Sequence, residues 1–268
     1  MNPIPHQRGF TLIELVMVIV ILGVIGSMVA VFMRGPIDAY VDSSRRAALT
    51  DVADTTVRRI ARDLRKALPN SVRTPNAQCL EFIPTKTGGR YRADDTPAAL
   101  NFAAADTSFN MLGSNAALPA DQRIADQDVV VVYNLGITGS NAYTSSNTAL
   151  ITAVPTEAGT PSETTVTIAS TLFPLASGSN RFHVVPGAER VVSYVCSGGN
   201  LYRTASNSFT PTSCLATGAI LARNVSACSF DYTGSDLQRN ALVNMVLQLT
   251  DSGETVSLQH EVHVSNTP

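Results

Sequence analysis

The sequence predicts an α+β protein: a long N-terminal helix, half apolar and half amphipathic, packed on a β-rich head of antiparallel sheets. Three observations carry this. Residues 15–33 contain no charge, residues 37–68 repeat apolar positions at helical spacing, and the rest alternates short apolar runs with turn residues. The predicted divisions are a short leader over 1–9, an apolar helix half over 10–34, an amphipathic half over 35–68 and a head over 69–268.

The apolar half comes first. Leu15 to Met33 reads LVMVIVILGVIGSMVAVFM, with Ser27 as its one clearly polar member. About 20 apolar residues cross the hydrocarbon layer as one helix. A core helix of that length would keep a polar face. The segment is also longer than the apolar region of a secretory signal, and no small-residue cleavage site follows it. Arg8 precedes it, while Arg34, Arg45 and Arg46 follow, so charge counting leaves the orientation open.

The amphipathic half carries Leu49, Val52, Val57, Ile60, Leu64 and Leu68 at steps of three to five. Arg58, Arg59, Arg62, Arg65 and Lys66 decorate its other faces. Asp54 and Arg58 form a helix-supporting i,i+4 pair. Gly35-Pro36 predicts a kink or local melting between the halves, because proline removes an amide donor and clashes with the preceding turn. Pro69-Asn70 is the expected stop. No aromatic residues interleave with the basic cluster, so it reads as a solvated helix face and no nucleic-acid partner is expected.

In the head, strands are expected at Leu80–Ile83, Val129–Tyr133, Thr164–Ala169, Phe182–Val185, Val191–Val195, Leu201–Arg203, Ser229–Tyr232, Ala241–Leu249 and Thr255–Val264. Ser197-Gly198-Gly199-Asn200 and Asp251-Ser252-Gly253 read as hairpin turns. Alternation puts His260 on the packed face of the last strand and His263 in solvent. Thr85–Asp128 is too long for a bare loop and should hide short elements. Gly136–Thr148, rich in Ser, Thr, Asn and Gly, reads as a loop.

Composition narrows the function classes. Charged residues make up 15% of the 268 residues, against about 25% in average soluble proteins, and the net charge is −2. The chain is therefore not a basic nucleic-acid binder as a whole. Residues 10–68 hold eight basic and six acidic side chains, and residues 69–268 hold ten and fifteen. The helix is thus slightly positive and the head negative, a polarity suited to contacts between neighbours. No nucleophile elbow, phosphate-binding loop, zincin or EF-hand pattern occurs, so no enzyme activity, cofactor or metal is expected. Cys79, Cys196, Cys214 and Cys228 contain no C-x-x-C. In an oxidising compartment they would form disulfides. Of the three possible connectivities, Cys196–Cys214 with Cys79–Cys228 is the expected one.

The border of the apolar run reads Gly9-Phe10-Thr11-Leu12-Ile13-Glu14-Leu15. A carboxylate at the edge of an apolar helix is expensive in lipid and implies a partner. A short basic leader ending in Gly, then Phe-Thr-Leu-Ile-Glu and a long apolar run, resembles the type IV prepilin signal. The resemblance implies a cut by prepilin peptidase between Gly9 and Phe10, and N-methylation of Phe10. It implies a single-pass inner-membrane helix with the head in the periplasm, later extracted by an inner-membrane assembly platform into a pilus. It also implies a subunit-assembly role for Glu14, whose carboxylate would neutralise the N-terminal amine of a neighbouring subunit.

Arg62–Arg73, Cys79–Pro84, Ala222–Cys228 and His260–Pro268 further resemble the large minor pilins of the mannose-sensitive haemagglutinin (MSHA) pilus. The chain also resembles the J-type pseudopilins, whose β-rich heads join a tip complex. Many major pilins carry a proline within the membrane half, whereas here the first after the leader is Pro36. These likenesses imply a minor pilin acting in assembly priming or at the tip. Its implied partners are prepilin peptidase, the assembly platform, other minor pilins, the major pilin and the lipid bilayer. A type II secretion pseudopilin and a tip adhesin binding a surface ligand are the alternatives.

Overall fold

A computed structural model describes residues 9–94, 96, 98–158, 162–212, 214–233 and 240–268. The expected leader therefore lies outside the described residues except for Gly9. The chain parts into two compact units between Ala48 and Leu49. One α-helix, α1 (Leu12–Leu64), contributes to both.

In the first unit the apolar side chains of α1 are exposed: Leu12 is 81% and Phe32 80% accessible. The helix is the one element among the described residues long and apolar enough to cross a membrane. Ser27 spends its hydroxyl on the Val24 carbonyl at 2.8 Å, so even this polar residue is satisfied within the helix. Of the kink or local melting expected at Gly35-Pro36, the melting does not occur: helix runs unbroken through Pro36. A proline deletes one amide donor, and the turns on either side keep their own bonds.

In the second unit, α1 buries Leu49, Ala53, Thr56, Val57, Ile60, Ala61 and Leu64. Val52, expected on this face, is instead 40% exposed. The buried stripe runs through the small residues Ala53 and Ala61, which let the sheets approach closely. The helix also ends earlier than Pro69-Asn70. After Leu64 the amides of Lys66 and Ala67 reach back to Asp63 and Leu64 at 3.0 Å each, a tightened last turn. The Leu68 amide then bonds Ile83 O and the Thr85 amide bonds Lys66 O, both at 2.7 Å, so sheet-like bonds capture the chain.

Fifteen strands follow among the described residues. They are β1 (Arg73–Asn76), β2 (Cys79–Phe82), β3 (Thr87–Arg90), β4 (Asp106–Leu112), β5 (Val129–Val132), β6 (Thr148–Leu150), β7 (Thr156–Ala158) and β8 (Glu163–Thr171). The remainder are β9 (Arg181–Val185), β10 (Val191–Ser197), β11 (Asn200–Ser206), β12 (Ala219–Arg223), β13 (Val225–Thr233), β14 (Asn240–Asp251) and β15 (Glu254–Ser265). They form four antiparallel sheets, in the orders β1-β2-β10-β11-β12, β13-β14-β15, β3-β9-β5-β6 and β4-β8-β7. The last two sheets are built entirely from the chain between β2 and β10. They form an insertion between two neighbouring strands of the first sheet. All nine expected strands are present, and both expected turns are tight hairpins with positive φ at Gly198, Gly199, Ser252 and Gly253. The long stretch 85–128 does contain short elements, β3 and β4.

Three apolar clusters fill the unit. The first joins α1 to the five-stranded sheet and to the β13-β14-β15 sheet, through residues such as Ile60, Leu80, Tyr194, Met245 and Val262. The second fills the insertion around Phe109, Phe182 and Ile168. The third, with Leu68, Ile83 and Phe209, includes the other face of β5. Strand alternation explains how four valines serve two cores. Val130 and Val132 enter the second cluster, and Val129 and Val131 the third.

Candidate functional site

The site begins at Gly9. Nothing lies within 4 Å of where a Cβ would stand at this position. The described fold therefore sets no steric demand for glycine there. Phe10 is 89% exposed. Helix begins only at Leu12, so the Gly9–Phe10 peptide bond lies outside α1. An unwound, accessible bond beside a small residue is what an endopeptidase needs.

Thr11 is the N-cap of α1. Its backbone amide and its hydroxyl both donate to Glu14 Oε2 at 3.0 Å, and the Glu14 amide donates back to Thr11 Oγ1 at 3.4 Å. This is a capping box, in which Thr and a Glu three residues on satisfy each other's free amides. Glu14 thus has a role within its own chain that the sequence reading did not assign. The Thr-x-x-Glu spacing ahead of an apolar run was the available signal. The second carboxylate oxygen, Oε1, has no hydrogen-bond partner among the described residues. The same side chain therefore caps its own helix and still presents an acceptor, four residues from Phe10.

The four cysteines form two disulfides, but not the expected ones. Cys79 joins Cys214 with 5.7 Å between Cα atoms, and Cys196 joins Cys228 at 6.3 Å. The correction follows from strand alternation. Cys79 on β2 stands opposite Val195 on β10, so Cys196, one residue on, faces the other side of that sheet. Cys196 belongs to the first core and meets Cys228 of β13 there. Cys79 faces outward and meets Cys214, in the segment between β11 and β12.

Glu81, fully buried on that outer face, receives Arg73 Nε at 2.9 Å, Ser193 Oγ at 3.0 Å and the Cys214 amide at 3.2 Å. Cys79, Glu81 and Cys214 hold ligand atoms within 4.8 Å of one another. The two sulfurs are already joined to each other, so the trio offers no thiolate to a metal.

Polar contacts fix the helix end to the sheets. Asp63 accepts from Tyr194 Oη at 2.7 Å and from Arg203 Nε at 3.1 Å. The Arg203 guanidinium also grips both oxygens of Glu189 at 3.1 Å. Burial, with Asp63 alongside, pushes the Tyr194 phenol well above its usual range. These groups border a surface cleft of about 510 Å³ in which most charges are already paired. Below the helix end, the Asn70 side-chain amide donates to Asn134 O, and the Asn134 amide to Pro69 O, at 2.9 and 2.6 Å. The Asn134 side-chain oxygen accepts from the Ala142 amide at 2.9 Å. Gly136–Thr148 is therefore an ordered strut for the helix end, although it reads as a loop in sequence.

His260 is half-buried and His263 exposed, as alternation predicts. Arg59 and Arg62 of α1, and Arg65 and Lys66 in the turn after it, are exposed.

Comparison with known proteins bears on the first of these features. Residues 4–30 match the family model described as the prokaryotic N-terminal methylation motif. No curated protein matches the chain. No solved structure matches it either. The motif supports a type IV pilin or pseudopilin-type protein, and implies processing by prepilin peptidase and assembly with other pilin subunits. The apolar helix near the start fits a single membrane anchor of the pilin kind.

Proposed function

We propose that this chain is a minor pilin of an MSHA-like type IV pilus, of the MshO type, which primes pilus assembly or sits at the tip and is not an enzyme. The reading is carried by one observation. A sterically free glycine and an exposed phenylalanine stand just ahead of a capped helix whose first half carries an uncharged apolar run, within a methylation motif. Prepilin peptidase cuts between Gly9 and Phe10, and Phe10 is N-methylated. The helix rests in the inner membrane with the head in the periplasm, where an oxidising milieu supports two disulfides. The exposed apolar side chains of the first unit lie in lipid first and against neighbouring helices afterwards, so they stay dry throughout. Glu14 Oε1 then pairs with the amine of an adjacent subunit.

The test is co-expression with a prepilin peptidase, followed by intact-mass and N-terminal analysis. Loss of residues 1–9 and gain of one methyl group on Phe10 is the expected result. An unprocessed chain overturns the reading. Deleting the gene separates the roles: absent pili indicate priming, and normal pili with lost attachment indicate a tip adhesin. Neighbouring genes for a type II secretion system would move the assignment to a J-like pseudopilin.

A further inference from the structure

Strand β15 ends the β13-β14-β15 sheet, and its outer edge pairs with nothing among the described residues. It is 12 residues long. Long open edges are a liability that folds normally cover or blunt. The turn at Ser252 and Gly253 has φ of 49° and 90°, which makes Asp251 and Glu254 the hydrogen-bonded closing pair of a two-residue hairpin. Alternation then turns the backbone N–H and C=O of Thr255, Ser257, Gln259, Glu261 and His263 away from β14, toward the open edge.

A second feature adjoins this edge. A cleft of about 630 Å³ is lined by Asp54, Arg58, Ala61 and Arg62 of α1, by Arg65 in the turn that follows it and by His260 of β15. Asp54 pairs with Arg58 at 2.7 Å, and it is the only carboxylate in the lining. Arg62 and Arg65 have no ion-pair partner among the described residues. On the same side, Val256 and Leu258 remain half-buried, whereas their partners Leu249 and Leu247 on β14 are buried. The inner face of β15 is thus incompletely covered beside a surplus of positive charge.

We propose that the edge and the cleft together receive an extended acidic segment of another protein, which adds as a fourth strand beside β15. Its backbone takes up the outward-facing groups of Ser257, Gln259 and Glu261. Its alternate side chains, pointing inward, are carboxylates that meet Arg58, Arg62 and Arg65. Those pointing outward lie beside Ser257, Gln259 and Glu261, so they are neutral or basic. Charge argues against a second copy of this chain as the occupant. Two β15 strands paired about a two-fold axis would turn their arginine faces on each other. The inference rests on the edge and the arginines alone, and holds whether or not the chain enters a pilus.

The test uses the full chain in detergent micelles and a labelled decapeptide alternating glutamate with threonine and valine. A lysine-for-glutamate version serves as control. Anisotropy should show the acidic peptide binding at least about ten-fold tighter than the control, and weakening as salt rises. Gln259→Pro removes an outward amide without touching the β14 ladder, a position where an edge strand accepts proline. Both Gln259→Pro and Arg62→Glu should weaken binding about ten-fold. In the unaltered protein the peptide should slow hydrogen exchange at Ser257, Gln259 and Glu261, a readout that needs no variant to fold. Equal binding of both peptides, binding that survives Gln259→Pro, no binding up to about 1 mM, or unchanged exchange at those three amides would each overturn the proposal.

Discussion

Tyr194 donates its phenolic hydrogen bond to Asp63 at 2.7 Å, tying a central strand of the five-stranded sheet to the last turns of the long helix. The tyrosine is fully buried, and the same Asp63 oxygen also holds Arg203. One carboxylate therefore satisfies two donors from two adjacent strands, β10 and β11.

Removing that carboxylate strands a buried hydroxyl. Asp63→Ala should lower the unfolding free energy by about 2 kcal/mol, and Asp63→Asn by less, because an amide oxygen still accepts from Tyr194. Tyr194→Phe should cost about 1 kcal/mol, since both donor and need vanish together. Urea unfolding of the three variants checks the order. Equal loss in Asp63→Ala and Asp63→Asn would remove the hydrogen bond from the account.

Glu14 caps its own helix and carries the assembly role proposed above, and two substitutions divide the two. Glu14→Gln keeps a capping side chain but removes the charge. Thr11→Val removes the cap but keeps the charge, at about 1 kcal/mol of local helix stability. If charge pairing between subunits governs assembly, Glu14→Gln should block incorporation into filaments while Thr11→Val assembles. Hydrogen exchange at Leu12–Glu14 should show the reverse, with fraying in Thr11→Val alone. Filament incorporation that tracks the fraying would make the cap the governing role.

The two disulfides close loops of different length, with sequence separations of 135 and 32. By chain entropy alone, replacing Cys79 and Cys214 with alanine should cost about 5 kcal/mol, and Cys196 with Cys228 about 4. Non-reducing peptide mapping should recover Cys79 linked to Cys214. Calorimetry of the two double variants then ranks the losses.

His183 supplies a pH dependence. Its Nε2 is buried without a hydrogen-bond partner, and burial, with Arg181 nearby, pushes the imidazole down to about 4. The folded state thus resists a proton that the unfolded chain accepts near pH 6.5. Stability is full above that value and falls as the pH drops toward 4, by up to about 3 kcal/mol. His183→Gln should flatten the slope between pH 6.5 and 4.5, above the range where most carboxylates titrate. A slope unchanged in that variant would assign the effect to another group.

Much of the fold was legible because it is periodic. The apolar run of α1, the alternation of β14 and β15 and the glycine-bearing turns at 198–199 and 252–253 each express a local rule. What stayed hidden was non-local. Strand β3 reads Thr-Gly-Gly-Arg, with no apolar pattern, and exists because β9 pairs with it. At Gly89 a Cβ would stand 3.0 Å from the side chains of Met111 and Phe182, so a larger residue there would have to displace them. Strand β1 contains Pro75 and stands at a sheet edge, where a missing donor is tolerated. Ala53 and Thr56 line the buried helix face because the sheets come close, and an apolar-residue count cannot register that. In the site, Gly9, Phe10 and Glu14 stand out as a motif, but the Thr11 partnership needed the capping spacing to be applied as well. The cysteine pairing depends on which face of β2 and β10 each thiol occupies, which spacing along the chain does not encode.

That pairing is interleaved: in chain order, the first cysteine joins the third and the second joins the fourth. A chain emerging from its N-terminus into an oxidant presents Cys79 and Cys196 together before either true partner arrives. An oxidant acting in order of appearance would couple those two, and the product would have to be reshuffled by thiolate exchange before the head closed. In an oxidising compartment, maturation of this head would call on a disulfide isomerase as much as on an oxidase. Cells lacking the isomerase should accumulate a trapped Cys79–Cys196 species that runs differently on a non-reducing gel.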